Sequence, residues 1–286
     1  QRIASKTLFQ TLFPSHPYGR PTRGTPETIQ NLTKDDLQRF AGERFAKDRL
    51  LIGVVGDISA AQLEKRLEQV FGHLPATLQS GWQAPETAPA YAGTLVVQKA
   101  VPQSTVYLAH GGISRTDPDW YAAVIADYIL GGGSFASRLM EEVREKRGLA
   151  YGVSTNLVPY DSSPLILASV GTRNDAVAES ISVIRNEWAR FQAKGPTADE
   201  LEDAKLYLTG AWPLRFTSSG RIANILVAVQ RDNLGLGYLD QRNDYIEAVS
   251  LEDVRRVAGR LYKPEELTVV VVGQPEGLSE TEGSGG

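Results

Sequence analysis

No cysteine occurs in the 286 residues, which excludes disulfides and thiolate metal sites. The same absence fits a reducing or an oxidising compartment, so it does not locate the protein. Histidine is scarce. His16, His73 and His110 lie far apart, and none falls in an H-E-x-x-H or H-x-x-E-H pattern, which would set two imidazoles on one helical face. Each is expected to be structural, and no zinc site is expected in this chain. An excess of positive charge is also missing. The 30 Lys and Arg against 34 Asp and Glu leave a net charge of -4, so nothing points to nucleic acid or an anionic membrane. There is no run of about 18 apolar residues and hence no expected transmembrane helix. No G-x-S-x-G nucleophile elbow is present. The run Gly131-Gly132-Gly133-Ser134 lacks the Lys-Ser/Thr of a phosphate loop and follows a segment that reads as helix, so it is expected to be a mobile loop between helices. Met140 is the single methionine; the chain opens on Gln1, with no signal-peptide pattern in its first residues.

The chain does carry a repeat. Thr33 to Gly56 aligns without gaps on Ser250 to Gly273, at a constant offset of 217. Asp36 matches Asp253, Arg39 matches Arg256, Ala41-Gly42 matches Ala258-Gly259, and Val54-Val55-Gly56 matches Val271-Val272-Gly273. Each copy reads as a Ser/Thr N-cap with Asp three residues on, an amphipathic helix, a charged turn and a buried strand. The second copy closes a segment that starts near Gly93, after a linker-like stretch rich in Pro, Ala, Gln and Thr. With the same offset, a domain equivalent for the first copy would start about 125 residues before Gln1. The expected organisation is therefore the C-terminal part of a truncated first domain (1–74), a linker (75–92), a complete second domain (93–276) and a disordered tail (277–286). A short, degenerate first domain is the alternative.

Within the second part, strands are expected at Thr94 to Gln98, Thr105 to His110, Leu149 to Val158, Leu165 to Val170 and Leu267 to Val272. Helices are expected at Pro118 to Leu130 and from about Phe135 to Arg147, with Gly148 as C-terminal cap. Long helices follow from Asp175 to Ala193 and from Ala198 to Thr209, the latter behind a capping box at Thr197 and Glu200. Strands joined by short connections, then a run of helices, then a returning strand give an α+β fold, a duplicated domain of mixed or antiparallel sheet flanked by helices.

The segment Gly131 to Asn156, GGGSFASRLMEEVREKRGLAYGVSTN, carries the most chemistry. A Gly-rich stretch feeds a charged helix that turns at Gly148 into a strand. Arg144 in the last helical turn and Tyr151 at the start of the strand converge if the turn is tight. A guanidinium and a phenol aimed together can hold a carbonyl and the oxyanion it becomes. Two plainer roles compete: Arg near a helix C-terminus complements the dipole, and Tyr packs well in strands. Arg138, Lys146 and Arg147 are rivals for any cationic role.

That segment resembles the second-domain signature of the insulinase/pitrilysin zinc peptidases, notably processing-type members: Gly131 to Gly133, then Ser137-Arg138-Leu139, then Arg144 to Tyr151. His16-Pro17-Tyr18-Gly19, Gly24-Thr25 and Val55-Gly56-Asp57 extend the similarity through the first part. The resemblance implies two α+β domains facing a chamber, with zinc on an H-x-x-E-H helix of the first. By match, Arg144 and Tyr151 position a peptide substrate, and Gly131, Gly132 and Gly133 border the chamber. The zinc residues of the family precede its H-P-Y-G segment, so zinc is expected on a missing first-domain segment or on a partner subunit. His16 is expected to make local turn hydrogen bonds. The expected function is the non-catalytic, substrate-positioning portion of a zinc metalloendopeptidase, inactive alone, with a zinc-bearing partner subunit or a homodimer as its assembly. An inactive subunit of a heterodimeric peptidase and a structural assembly subunit are the alternatives.

Overall fold

The computed structural model describes residues 1–78, 84–90, 93–278 and 281–282. In chain order these form α1 (Arg2–Leu12), α2 (Pro26–Gln30), α3 (Lys34–Arg44), α4 (Ala60–Phe71), β1 (Gly93–Gln98), β2 (Gln103–Gly111), α5 (Trp120–Asp127), β3 (Ala150–Val158), β4 (Leu165–Arg173), α6 (Val177–Lys194), α7 (Ala198–Gly210), α8 (Ser219–Arg231), α9 (Tyr238–Glu247), α10 (Leu251–Leu261), β5 (Thr268–Gly273) and β6 (Thr281–Glu282). They fall into two compact units. One holds residues 1–20, 84–209 and 243–286; the other holds 21–83 and 210–242.

The first unit is built on a mixed sheet of order β3-β4-β2-β5-β1-β6. Strands β3, β4, β2 and β5 are antiparallel neighbours, β1 runs parallel to β5, and the backbone of β6 pairs antiparallel with β1. The α+β class and the mixed sheet flanked by helices are as the sequence implied. Strand β5 explains itself chemically. Its four consecutive valines do not alternate with polar residues because both faces are covered. Val269 and Val271 join the main core under α5, α6 and α10, while Val270 and Val272 face Leu8, Leu12 and Phe13 of the N-terminal segment. Each buried valine contributes roughly 1.5–3 kcal/mol. Of the tail, Leu278 packs on the core, and residues 279–280 and 283–286 lie outside the described ones.

The repeat reappears as geometry. In α3, Thr33 accepts from the Asp36 N–H (3.2 Å) and Asp36 accepts from the Thr33 N–H (3.0 Å); Ser250 and Asp253 do the same in α10 (3.1 and 3.0 Å). Both helices run 11 residues, and each is followed by a 3₁₀ turn, Lys47–Arg49 and Pro264–Glu266. Burial separates the copies. Val254, Val257 and Tyr262 are fully buried, yet their counterparts Leu37, Phe40 and Phe45 are 60%, 55% and 51% exposed. The strand expected at Leu50 to Val55 is extended but pairs with no strand among the described residues, whereas its counterpart β5 lies inside the sheet.

His110 of β2 is a core residue. Its Nε2 accepts from the Trp188 indole N–H (2.9 Å), so its Nδ1 carries the proton donated to the Gly111 carbonyl (2.6 Å). Burial pushes its pKa down to about 4, which keeps the ring neutral and suited to this pattern. Trp188→Phe would preserve the ring packing but leave Nε2 unpaired in the core. A loss of about 1–3 kcal/mol in urea unfolding is expected; an unchanged midpoint would mean that water reaches this nitrogen.

Candidate functional site

The Gly-rich segment is not a loose loop. Helix α5 runs into a π-helical turn, Tyr128–Gly132, in which the Gly133 N–H donates to the Tyr128 carbonyl (2.8 Å). This turn packs directly on β3. A Cβ at Gly131 would lie 2.6 Å from both Cγ2 and Oγ1 of Thr155, and one at Gly132 would lie 2.7 Å from Asp127 Oδ2. Gly131 lets the turn approach the β3 backbone, and Gly132 and Gly133 let the turn close on its own Asp127 and Tyr128, which corrects the expectation of a mobile loop. After them Ser134 takes a left-handed φ of 51°, rare outside glycine, and a short 3₁₀ turn carries Phe135. Buried Ser137 fixes that turn: its hydroxyl and its N–H both donate to the Ser134 carbonyl (2.7 and 3.0 Å).

The helix expected from Phe135 to Arg147 begins later, and its second half, Met140–Glu145, is π-helical. Wider π turns recur at functional sites because they shift the side chains that follow. Gly148 closes the segment as expected, at a φ of 60°, with its N–H on the Arg144 carbonyl (2.8 Å). An irregularity in the β3–β4 pairing between Ala150 and Val153 then leaves Tyr151 and Gly152 exposed, and the Val153 N–H contacts Met140 Sδ at 3.5 Å. Such bulges re-aim side chains at strand ends.

Arg144 and Tyr151 meet as the tight turn predicts. The guanidinium carbon of Arg144 lies 4.8 Å from the Tyr151 ring centre and 4.5 Å from that of Phe135, a residue the sequence reading did not single out. An exposed aromatic two residues past a glycine run was the available signal. The three side chains line a cavity of about 470 Å³ together with Gly131, Gly132, β3 and parts of β2 and β4; Gly133 is not in its wall. Among the described residues Arg144 is the only charged side chain in that lining, which also takes in Gln1 at the amino terminus.

The rival cations are committed elsewhere. Arg138 makes a bidentate pair with Glu200 (2.6 Å twice) and bonds the Gly195 carbonyl. Lys146 (2.7 Å) and Arg147 (2.6 Å) both hold the Glu142 carboxylate, lowering its pKa. Among the described residues the one carboxylate that Arg144 meets, besides its two rings, is that of half-exposed Glu145, 3.4 Å from Nε.

Metal ligation does not fit this donor set. Among the described residues no three His, Cys, Asp or Glu side chains converge. His16 is held by the Tyr18 N–H on Nδ1 (3.2 Å) and bonds the Pro85 carbonyl through Nε2 (2.9 Å), the turn role expected for it, and both nitrogens of His110 are occupied. Among the described residues no helix is long and apolar enough to cross a membrane.

Asp127, beneath the glycine turn, is half-buried with its Oδ1 enclosed; among the described residues that oxygen has no hydrogen-bond partner, and the same holds for the Tyr262 hydroxyl. Burial raises the Asp127 pKa to about 6. Burial also raises that of Tyr262, and the Asp127 charge adds to the effect.

The family described as the peptidase M16 inactive domain matches residues 31–208. A zinc protease of Bacillus subtilis without assigned role is 28% identical over 273 residues, 94% of this chain and 65% of its own length. A protein of Helicobacter pylori described as a non-peptidase homolog is 29% identical over 277 residues, covering 94% and 62%. A probable mitochondrial-processing peptidase subunit beta of Schizosaccharomyces pombe is 29% identical over 285 residues, covering 95% and 62%. The chain thus spans a little under two thirds of these relatives. A solved peptidase M16 inactive domain from Pseudomonas fluorescens superposes with a TM-score of 0.88 at 30% identity, over 98% of this chain and 66% of that one.

Two outcomes test this geometry. Gly131→Ala forces the turn off β3 and is expected to cost about 1–3 kcal/mol of unfolding free energy, read from urea midpoints; a neutral result would show that Thr155 yields freely. The two buried titrating groups oppose each other. His110 charges more readily when unfolded, so its contribution is lost as pH falls from 6.5 toward 4. Asp127 keeps its proton longer when folded, so its contribution is lost as pH rises from 3.8 through 6. Asp127→Asn removes the second slope alone. Between pH 6.5 and 4 that variant should therefore lose more stability on acidification than the parent chain, the difference being on the order of 3 kcal/mol at most. Equal pH profiles for the two proteins would contradict the raised pKa of Asp127.

Proposed function

The chain belongs to the peptidase M16 family as its inactive domain, and from that premise we propose that it is the substrate-positioning portion of a zinc endopeptidase, with the metal carried by a preceding segment or by a partner chain. The observation that carries this reading is the state of Arg144. It stands in the cavity and, among the described residues, its one carboxylate contact is through Nε, while Arg138, Lys146 and Arg147 are each bound to a carboxylate. Arg144 and the Tyr151 hydroxyl would donate hydrogen bonds to a peptide carbonyl and retain them as negative charge develops on that oxygen. Gly131 and Gly132 would border the peptide, since they line the same cavity; Gly133 would act through the turn.

The domain division is part of the proposal. Residues 1–74 would be the C-terminal part of a first domain and residues 93–276 a complete second domain, although the structure packs α1 on the sheet of the second and groups residues 210–242 with 21–83. The support is the burial contrast between the copies. Leu37, Phe40 and Phe45 stand exposed at positions whose counterparts are sealed under a sheet and helices. A second reading, an inactive subunit acting beside a zinc-bearing one, is favoured by the similarity to the non-peptidase homolog and to the processing-peptidase subunit. Both readings give Arg144 the same task.

The test is metal content and peptide cleavage of the chain alone and mixed with a zinc-bearing M16 protein from the same source. Little zinc and no cleavage are expected alone, with stimulated cleavage in the mixture. Arg144→Ala should lower that stimulated kcat/KM by about 100-fold, the scale of a lost oxyanion donor. Stoichiometric zinc in the isolated chain, or full stimulation by Arg144→Ala, would overturn the reading.

A further inference from the structure

We infer that Phe135 is a positioning residue for the peptide-binding cavity, the outer jaw of an aromatic clasp that holds Arg144 ready for a substrate oxygen. The inference rests on the proposed role of Arg144 and extends it to a residue outside the Arg/Tyr pair.

A free arginine on a helix end has many rotamers, and a neighbouring carboxylate is its natural partner in water. Glu145 is adjacent and pairs with the Nε edge, at 3.4 Å from its Oε1. The guanidinium also lies within cation–π range of two rings, at 4.5 Å from Phe135 and 4.8 Å from Tyr151. Contact with two rings leaves the N–H edge as the group's open side. Among the described residues no acidic side chain lines the cavity itself. The clasp thus supplies a fixed donor edge, which suits a carbonyl or carboxylate oxygen of an extended peptide.

The chain spends conformational energy to place the Phe135 ring. Ser134 sits in the left-handed region, which disfavours residues with a Cβ, and Ser137 holds that turn with two bonds to one carbonyl. Phe135 gains no burial in return, since it is 64% exposed. An aromatic side chain held out of the core by a constrained turn and set against a cation is explained by the cation. The same exposed ring, with Tyr151, also gives the cavity an apolar wall beside the donor edge, so an apolar peptide side chain next to the held oxygen is the expected preference.

The test uses the full chain in two ways. In the chain alone, the Arg144 Nε–H signal in nitrogen–proton NMR, assigned by its loss in Arg144→Ala, should be displaced by ring currents. Phe135→Leu should return it toward the ordinary arginine position, while Phe135→Tyr should keep it displaced. In the mixture with the zinc-bearing protein and a fluorogenic peptide, Phe135→Leu should raise KM by about three- to thirtyfold with a smaller change in kcat, the range of one cation–π contact. Phe135→Tyr should restore KM. An Arg144 signal indifferent to Phe135→Leu would overturn the clasp. So would an unchanged KM in a mixture that Arg144→Ala still disables. If Arg144→Ala leaves cleavage untouched, the peptidase reading fails instead, and the NMR comparison decides the clasp independently.

Discussion

Where Gly131 meets Thr155, a single Cβ would lie 2.6 Å from two side-chain atoms and 2.9 Å from a backbone nitrogen. Only glycine permits that approach, and the cavity is arranged around it. With the turn resting on β3, helix α5 ends in a π turn and the chain leaves it through the left-handed Ser134. The next helix starts late and is itself widened, and Arg144 at its end stands beside the strand that follows Gly148. The steric constraint at Gly131 thus sets the floor of the cavity on which the clasp stands.

Electrostatics sorts the basic side chains within that frame. The segment Arg138 to Arg147 presents four cations. Three are retained by Glu200 and Glu142 in bonds of 2.6–2.7 Å, and these pairs tie the segment to its surroundings. The fourth meets rings. Sequence spacing cannot make this distinction, because Glu200 lies 62 residues from its partner and reaches it only when the start of α7 comes beside the turn.

The repeat shows how much burial depends on context. The two copies share capping boxes, helix length and 3₁₀ turns, all fixed within about a dozen residues. Their apolar positions also correspond, but one set is sealed and the other is exposed. Local preference makes the unit; a neighbouring sheet decides whether its apolar face is satisfied.

What the sequence determined by itself was local: helix caps at Thr33, Thr197 and Ser250, the Gly148 turn, the doubly buried valine run of β5, the α+β order of elements, and a signature that set Arg144 and Tyr151 seven residues apart around one turn. These are legible because capping, turn chemistry and hydrophobic period act over a few residues. Tertiary structure decided the rest. It turned an expected mobile loop into a close-packed π turn, left Leu50 to Val55 without a strand partner among the described residues, took Arg138, Lys146 and Arg147 out of contention and brought Phe135 to the cation. Each of those outcomes depends on which distant backbone or carboxylate arrives alongside, and contacts such as Gly131 with Thr155 or Arg138 with Glu200 exist only once the sheet and helices have closed on one another.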